Sequence, residues 1–132
     1  MAIQGMSHFN VLTDDVEATR HFYCDILGLE KGARPPFSLD GLWLYAGGRP
    51  ILHVSKAPLP EARGGVIDHI AFSTSDLAAT VARLEQHGVR YKLGQQAGSG
   101  IWQLFCSDPM GVKVELDFDP SEKPPASSSP RA

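Results

Sequence analysis

Four residues have the types and places to do chemistry together: His8, His53, His69 and Glu115. Each falls where apolar and polar residues alternate, the period-2 mark of a strand. Phe9 and Val11 follow His8, Leu52 and Val54 flank His53, Ile70 and Phe72 follow His69, and Val114 and Leu116 flank Glu115. The apolar set is expected to face helices and the polar set the opposite side of the sheet. Imidazole and carboxylate donors meeting at one point suit a divalent first-row metal: Fe, Mn, Co, Ni or Zn. A set without thiolates, with room for water, points to a catalytic site and not to a closed structural one. Taken singly, a strand histidine is more often hydrogen-bonded or solvated than a ligand. Glu115 alone, between Lys113 and Asp117 on the same face, reads as an ordinary exposed carboxylate. The joint pattern carries the expectation. His21 and His87 fall on helices and are given no role.

The four positions belong to an internal repeat. Each half reads as strand, helix, then three strands. His8 and His69 are 61 apart, as are Thr13 and Thr74, Asp15 and Asp76, Ala18 and Ala79, and Thr19 and Thr80. Gly28 and Gly88 are 60 apart, Trp43 and Trp102 59, and His53 and Glu115 62. Duplicated packing needs explain the threonines, alanines and glycines. They do not require polar groups at positions 8, 53, 69 and 115. Two modules paired about a pseudo-twofold axis would bring all four together.

The elements that must position them follow from local signals. A strand is predicted over residues 7–12. A helix then starts at Asp14, with Glu17 completing a capping box. Val16, Thr19, Tyr23, Ile26 and Leu27 recur at helical spacing, and Gly28 stops the helix. Strands are predicted over 29–34, 42–46 and 51–55, the last two joined by the hairpin signal Gly47-Gly48. In the second half, strands are predicted over 66–73, 89–93, 101–106 and 112–118. Its helix is capped by Ser75, buries Leu77, Thr80, Val81 and Leu84, and ends at Gly88. The chain is thus read as a first module (1–56), a linker (57–65), a second module (66–118) and a Pro/Ser-rich tail (119–132). The tail's composition gives it nothing to pack with by itself.

Composition narrows the function. The 132 residues are 42% hydrophobic and 20% charged, an ordinary globular balance. With 12 basic and 15 acidic residues the net charge is −3, so no basic field is available for nucleic acid. No apolar run approaches the roughly 20 residues of a membrane span. Residues 1–5 lack the pattern of a signal peptide. Cys24 and Cys106 form no Cys-x-x-Cys, so packing roles and a reducing cytoplasm are expected.

These residues resemble the vicinal oxygen chelate superfamily, which includes glyoxalase I, bleomycin-resistance proteins, epimerases, fosfomycin-resistance transferases and extradiol dioxygenases. The resemblance is carried by Ser7-His8-Phe9-Asn10-Val11 with Thr13-Asp14-Asp15, by residues 22–29 (Phe-Tyr-Cys-Asp-Ile-Leu-Gly-Leu), and by Asp68-His69-Ile70-Ala71-Phe72. It is also carried by residues 108–116 (Asp-Pro-Met-Gly-Val-Lys-Val-Glu-Leu), and spans 6–118. It implies an α+β fold of two βαβββ modules, whose eight strands form an open curved sheet, a cup, with helices outside. It implies one divalent metal per site, held from the first and last strands of each module. Those positions fall on His8, His53, His69 and Glu115; the place of His53 varies in the family among Glu, Gln, His and a non-ligand. It also implies a homodimer and a small-molecule substrate with adjacent oxygens.

Three chemistries compete. The first is glyoxalase-like lyase or isomerase chemistry through a metal-chelated enolate, with Glu115 as both ligand and base. Here His53 departs from glyoxalase I, which has Glu. Arg20, Arg34 and Arg49 are candidates for a glutathione pocket by charge only, and a solvated surface charge is the ordinary reading of each. The second is an Fe(II) extradiol dioxygenase built on His8, His69 and Glu115; Phe105 stands where its Tyr is expected. The third is a non-catalytic, bleomycin-resistance-like binding protein, with Trp43 and Trp102 lining the cup. Such proteins lack the metal set. A fosfomycin-type transferase fits poorly, since no Lys/Arg cluster lies near the ligand strands.

Overall fold

The computed structural model describes residues 2–126. The chain divides into two compact units, Met1–Glu61 and Ala62–Ala132. Each unit is one βαβββ module with a four-stranded mixed sheet.

In the first unit the strands are β1 (Phe9–Thr13), β2 (Glu30–Gly32), β3 (Gly41–Ala46) and β4 (Arg49–Lys56). Their order is β1-β4-β3-β2, with β1 parallel to β4 and the other neighbours antiparallel. Alternation along β4 buries Leu52 and Val54 almost completely and leaves His53 half-buried. That is the expected division of faces. Gly47 and Gly48 turn the β3–β4 hairpin with φ of +57° and +76°. A tight turn with two positive φ values favours Gly, which carries no Cβ penalty there.

Helix α1 (Val16–Arg20) runs on into a π-helical segment, His21–Ile26. There Leu27 N–H reaches Phe22 O at 3.1 Å, five residues back. Phe22, Tyr23 and Ile26 of this segment are buried in the core. The N-cap is Asp15, not Asp14: its Oδ1 accepts from Ala18 N–H at 3.0 Å. Thr13 decides the shift, because its Oγ1 accepts from Asp15 N–H at 3.0 Å and donates to Asp15 O at 2.9 Å. Glu17 therefore closes no capping box and pairs with Arg20 at 2.7 Å.

The second unit repeats the plan. Its strands are β5 (Ile70–Ser73), β6 (Tyr91–Gln95), β7 (Trp102–Ser107) and β8 (Lys113–Phe118), in the order β5-β8-β7-β6. Helix α2 (Leu77–Gln86) buries Leu77, Thr80, Val81 and Leu84, the predicted stripe. Burying a leucine fully contributes about 1.5–3 kcal/mol. The helix ends at Gly88, with Val89 N–H on Leu84 O at 2.8 Å and Gly88 N–H on Glu85 O at 3.1 Å. Asp76, not Ser75, is its N-cap. Strand β5 begins later than predicted, since Val66 and Ile67 are exposed and have no core to fill.

The segment after β8 is held, against its composition. Glu122 accepts from Leu77 N–H at 2.7 Å and from Asp76 N–H at 3.2 Å, and its carbonyl takes the Trp102 indole N–H at 2.7 Å. The carboxylate thus satisfies donors that a helix start leaves open. Residues 127–132 of the expected tail lie outside the described residues. Among the described residues no helix is long and apolar enough to cross a membrane.

Candidate functional site

Each unit presents one pair of the expected donors. His8 and His69 do not lie within strands; each sits one residue before its strand, ahead of Phe9 in β1 and Ile70 in β5. Parallel pairing then sets β1 beside β4 and β5 beside β8. This topology brings His8 to His53 and His69 to Glu115.

In the first unit, the His8 and His53 rings stack at 3.7 Å and 15°. Trp43, opposite His53 across β3–β4, stacks with it at 4.1 Å and 11°. Burial, and then the charge of His8, hold His53 below the usual imidazole pKa, which favours the neutral ring. The Pro50 carbonyl accepts a hydrogen bond from that ring, while the buried Nε2 has no partner. With the proton on Nδ1, Nε2 carries a lone pair, as a metal ligand must.

In the second unit, His69 Nε2 lies 3.0 Å from Glu115 Oε1, and its Nδ1 lies 2.8 Å from Asp68 Oδ2. Glu115 is only 6% exposed, so it is not the ordinary surface carboxylate its neighbours suggested. Gln103 donates to Glu115 Oε2 at 3.2 Å, and Lys113 reaches Asp68 at 3.3 Å. Burial, then the hydrogen bond and charge of Glu115, push Asp117 up to about 6. Phe105 meets the His69 ring edge-on at 5.8 Å.

The register corrects one repeat assignment. Trp43 pairs with His53, and Phe105 pairs with Glu115. Phe105, not Trp102, is therefore the counterpart of Trp43. Its offset of 62 matches that between His53 and Glu115, which is the signal the sequence held. Trp102 lies across from Phe118 and is tied to Glu122. Asp68, Gln103 and Asp117 were also missed as partners of the donor pair. Asp68 adjoins His69 in sequence and Asp117 shares the strand face of Glu115, but only the fold places Gln103.

The structure separates the three candidate arginines. Arg20 is engaged by Glu17 and by Asp25 at 2.9 Å. Arg49 reaches the Met6 carbonyl at 3.5 Å. Arg34 lines an open cavity of about 340 Å³ with His8, Trp43 and His53 and with loop residues Phe37, Ser38 and Leu39. The two cysteines are unpaired, and burial raises the pKa of both thiols.

Among the described residues no group of three or more His, Cys, Asp or Glu is arranged to hold a metal ion. Each unit by itself nevertheless offers donor atoms of a metal-binding kind. His53 offers a buried, unpartnered nitrogen, and His69 offers Nε2 toward Glu115 with a carboxylate behind its other nitrogen.

Residues 5–116 match the model of the Glyoxalase/Bleomycin resistance protein/Dioxygenase superfamily, and the chain belongs to this family. It is 30% identical over 123 residues to Glyoxylase I 4 of Arabidopsis thaliana, covering 86% of this chain and 70% of that protein. The glyoxylase/bleomycin resistance protein/dioxygenase domain from Frankia superimposes with a TM-score of 0.73 at 19% identity, over 89% of this chain and 99% of that one. TnmS3, an antibiotic binding protein from Streptomyces, gives a TM-score of 0.67 at 26% identity, over 90% and 98%. The two βαβββ modules are thus the fold of this family.

Proposed function

We propose that this chain is a divalent-metal-dependent, glyoxalase-like lyase or isomerase acting on a small molecule with adjacent oxygens. The donor set is His8 and His53 from the first unit and His69 and Glu115 from the second. The observation that carries the reading is His69 held between Asp68 and Glu115, with Glu115 buried. An ion held by these donors supplies a Lewis acid that stabilises negative charge developing on substrate oxygens. Glu115 is the proton carrier: its carboxylate takes a proton from the carbon beside a carbonyl and gives it back, either to the neighbouring carbonyl carbon while the hydroxyl proton passes to the former carbonyl oxygen (isomerisation), or to the opposite face of the same carbon (epimerisation). Gln103 and His69 hold that carboxylate in place and accommodate its change of charge. Similarity to Glyoxylase I 4 supports this class of chemistry.

A second reading is a non-catalytic binding protein. The aromatic-lined cavity of the first unit and the similarity to TnmS3 favour it.

Metal analysis of untagged, anaerobically purified protein separates the two. The enzyme reading expects about one Ni, Co, Mn or Zn per chain, lost in His69→Ala and Glu115→Ala. It also expects turnover of a hemithioacetal or an acyl-CoA epimer. Iron with oxygen uptake on catechols would move the chain to ring cleavage. No metal even after reconstitution would leave the binding reading. We also propose a homodimer, and sedimentation showing only monomer at micromolar concentration would refute it.

A further inference from the structure

Three rings of the first unit form one pile. Strand β4 lies between β1 and β3, so His53 has a neighbouring strand on each side. The His8 ring stacks on it at 3.7 Å and 15°, and the Trp43 ring at 4.1 Å and 11°. Two rings this close cannot share one face of an imidazole, so they cover opposite faces. His53 keeps only its ring edge, where Nε2 is buried without a partner among the described residues.

An imidazole nitrogen donates along its lone pair, in the plane of the ring, to an ion about 2.0–2.1 Å away. The planes of His8 and His53 are nearly parallel, and their centres are 3.7 Å apart. An ion in the plane of either ring therefore lies well outside the plane of the other. Stacked in this way, the two side chains do not converge on one ion. Stacking and joint donation are exclusive arrangements of the pair.

Which ring moves follows from how each is held. His53 stands in the middle of β4, opposite Asn10 on one side and Trp43 on the other, and its ring is half-buried. His8 stands one residue before β1 and is exposed, with Nδ1 3.0 Å from Ser7 Oγ. Turning His8 breaks one ring contact and one exposed hydrogen bond. Turning His53 breaks two ring contacts within a sheet. We infer that His53 is the fixed donor of the first unit, with Trp43 as its positioning residue, and that His8 is the mobile donor, which leaves the stack to serve the same ion. The inference rests on the proposed donor set and adds which donor is preformed and which is recruited.

The test is a crystal structure of the full chain with one equivalent of Zn²⁺, together with chelator competition in solution. Both imidazoles should lie about 2.0–2.1 Å from the ion. His53 should stay parallel to Trp43, and His8 should be turned out of the stack. A His8 ring still parallel to His53 with both nitrogens on the ion would overturn the inference. So would a His53 that has left Trp43 while His8 kept its place. Zn²⁺ on His69 and Glu115 without both first-unit histidines would overturn it and leave the metal reading standing. Zn²⁺ on none of the four donors would refute that reading and the inference with it. In solution, Trp43→Leu should weaken Zn²⁺ binding about two- to tenfold, the effect of one ring pair, and Trp43→Phe should restore it. Unchanged affinity in Trp43→Leu would overturn the positioning role. The structure of the unaltered chain decides even if a variant fails to fold.

Discussion

Asp68 Oδ2 stands 2.8 Å from His69 Nδ1, on the opposite side of the ring from Glu115. A carboxylate behind an imidazole fixes the ring's orientation and raises the basicity of its far nitrogen. Asp68→Asn should therefore weaken metal affinity about 10–100-fold. Chelator competition would read this, and a thermal melt should barely move, since Asp68 is exposed. Unchanged affinity would mean that the contact is incidental.

Cys106 should be inert. Burial, with the charge of Asp108 beside it, pushes its thiol up to about 12. Only the thiolate reacts. Iodoacetamide at pH 8 should leave Cys106 unmodified in native protein and label it in denaturant. Rapid native labelling of Cys106, mapped by peptide mass, would contradict this burial.

Glu122→Ala should destabilise the chain by about 0.5–2 kcal/mol, the usual cost of a lost helix cap. The carboxylate serves Asp76 and Leu77 N–H from 45 or more residues away, so the loss is one of tertiary structure. Denaturant melts should show a lower midpoint with an unchanged slope. No shift would place the cap on Asp76 alone.

The Arg20 hydrogen bonds, and then that of His21, hold Asp25 down at about 2. A depressed carboxylate stabilises the fold above its unfolded pKa of roughly 3.9, and the effect disappears as pH falls through the folded value. Asp25→Asn should thus lower the melting temperature slightly at pH 5–6. Its curve should meet that of the parent near pH 2. The effect is small because the network is solvent-exposed. A gap that widened toward pH 2 would reverse the sign and refute the assignment.

Much of the fold was legible because it is written in local signals. The α2 stripe and the Gly47-Gly48 hairpin each need only neighbours in sequence. The caps show the limit of such reading. Asp14, Asp15, Ser75 and Asp76 are all competent caps, and the choice fell to Thr13 in one unit and to the Asp76 backbone at φ +67° in the other. The π-helical segment was not legible, since Phe22, Tyr23 and Ile26 fit an ordinary helix until the core is seen.

For the site, the sequence by itself determined which residues are the candidate donors. Residue type and the 61- and 62-residue offsets pick out His8, His53, His69 and Glu115. Tertiary structure decided their surroundings. Burial of Glu115, the Gln103 contact, the match of Phe105 to Trp43 and the stacking of His53 between His8 and Trp43 all depend on strand register and packing. Register is a property of two strands and burial a property of the whole unit. The periodicity of one strand assigns a face, but what that face meets is set by a partner strand distant in sequence.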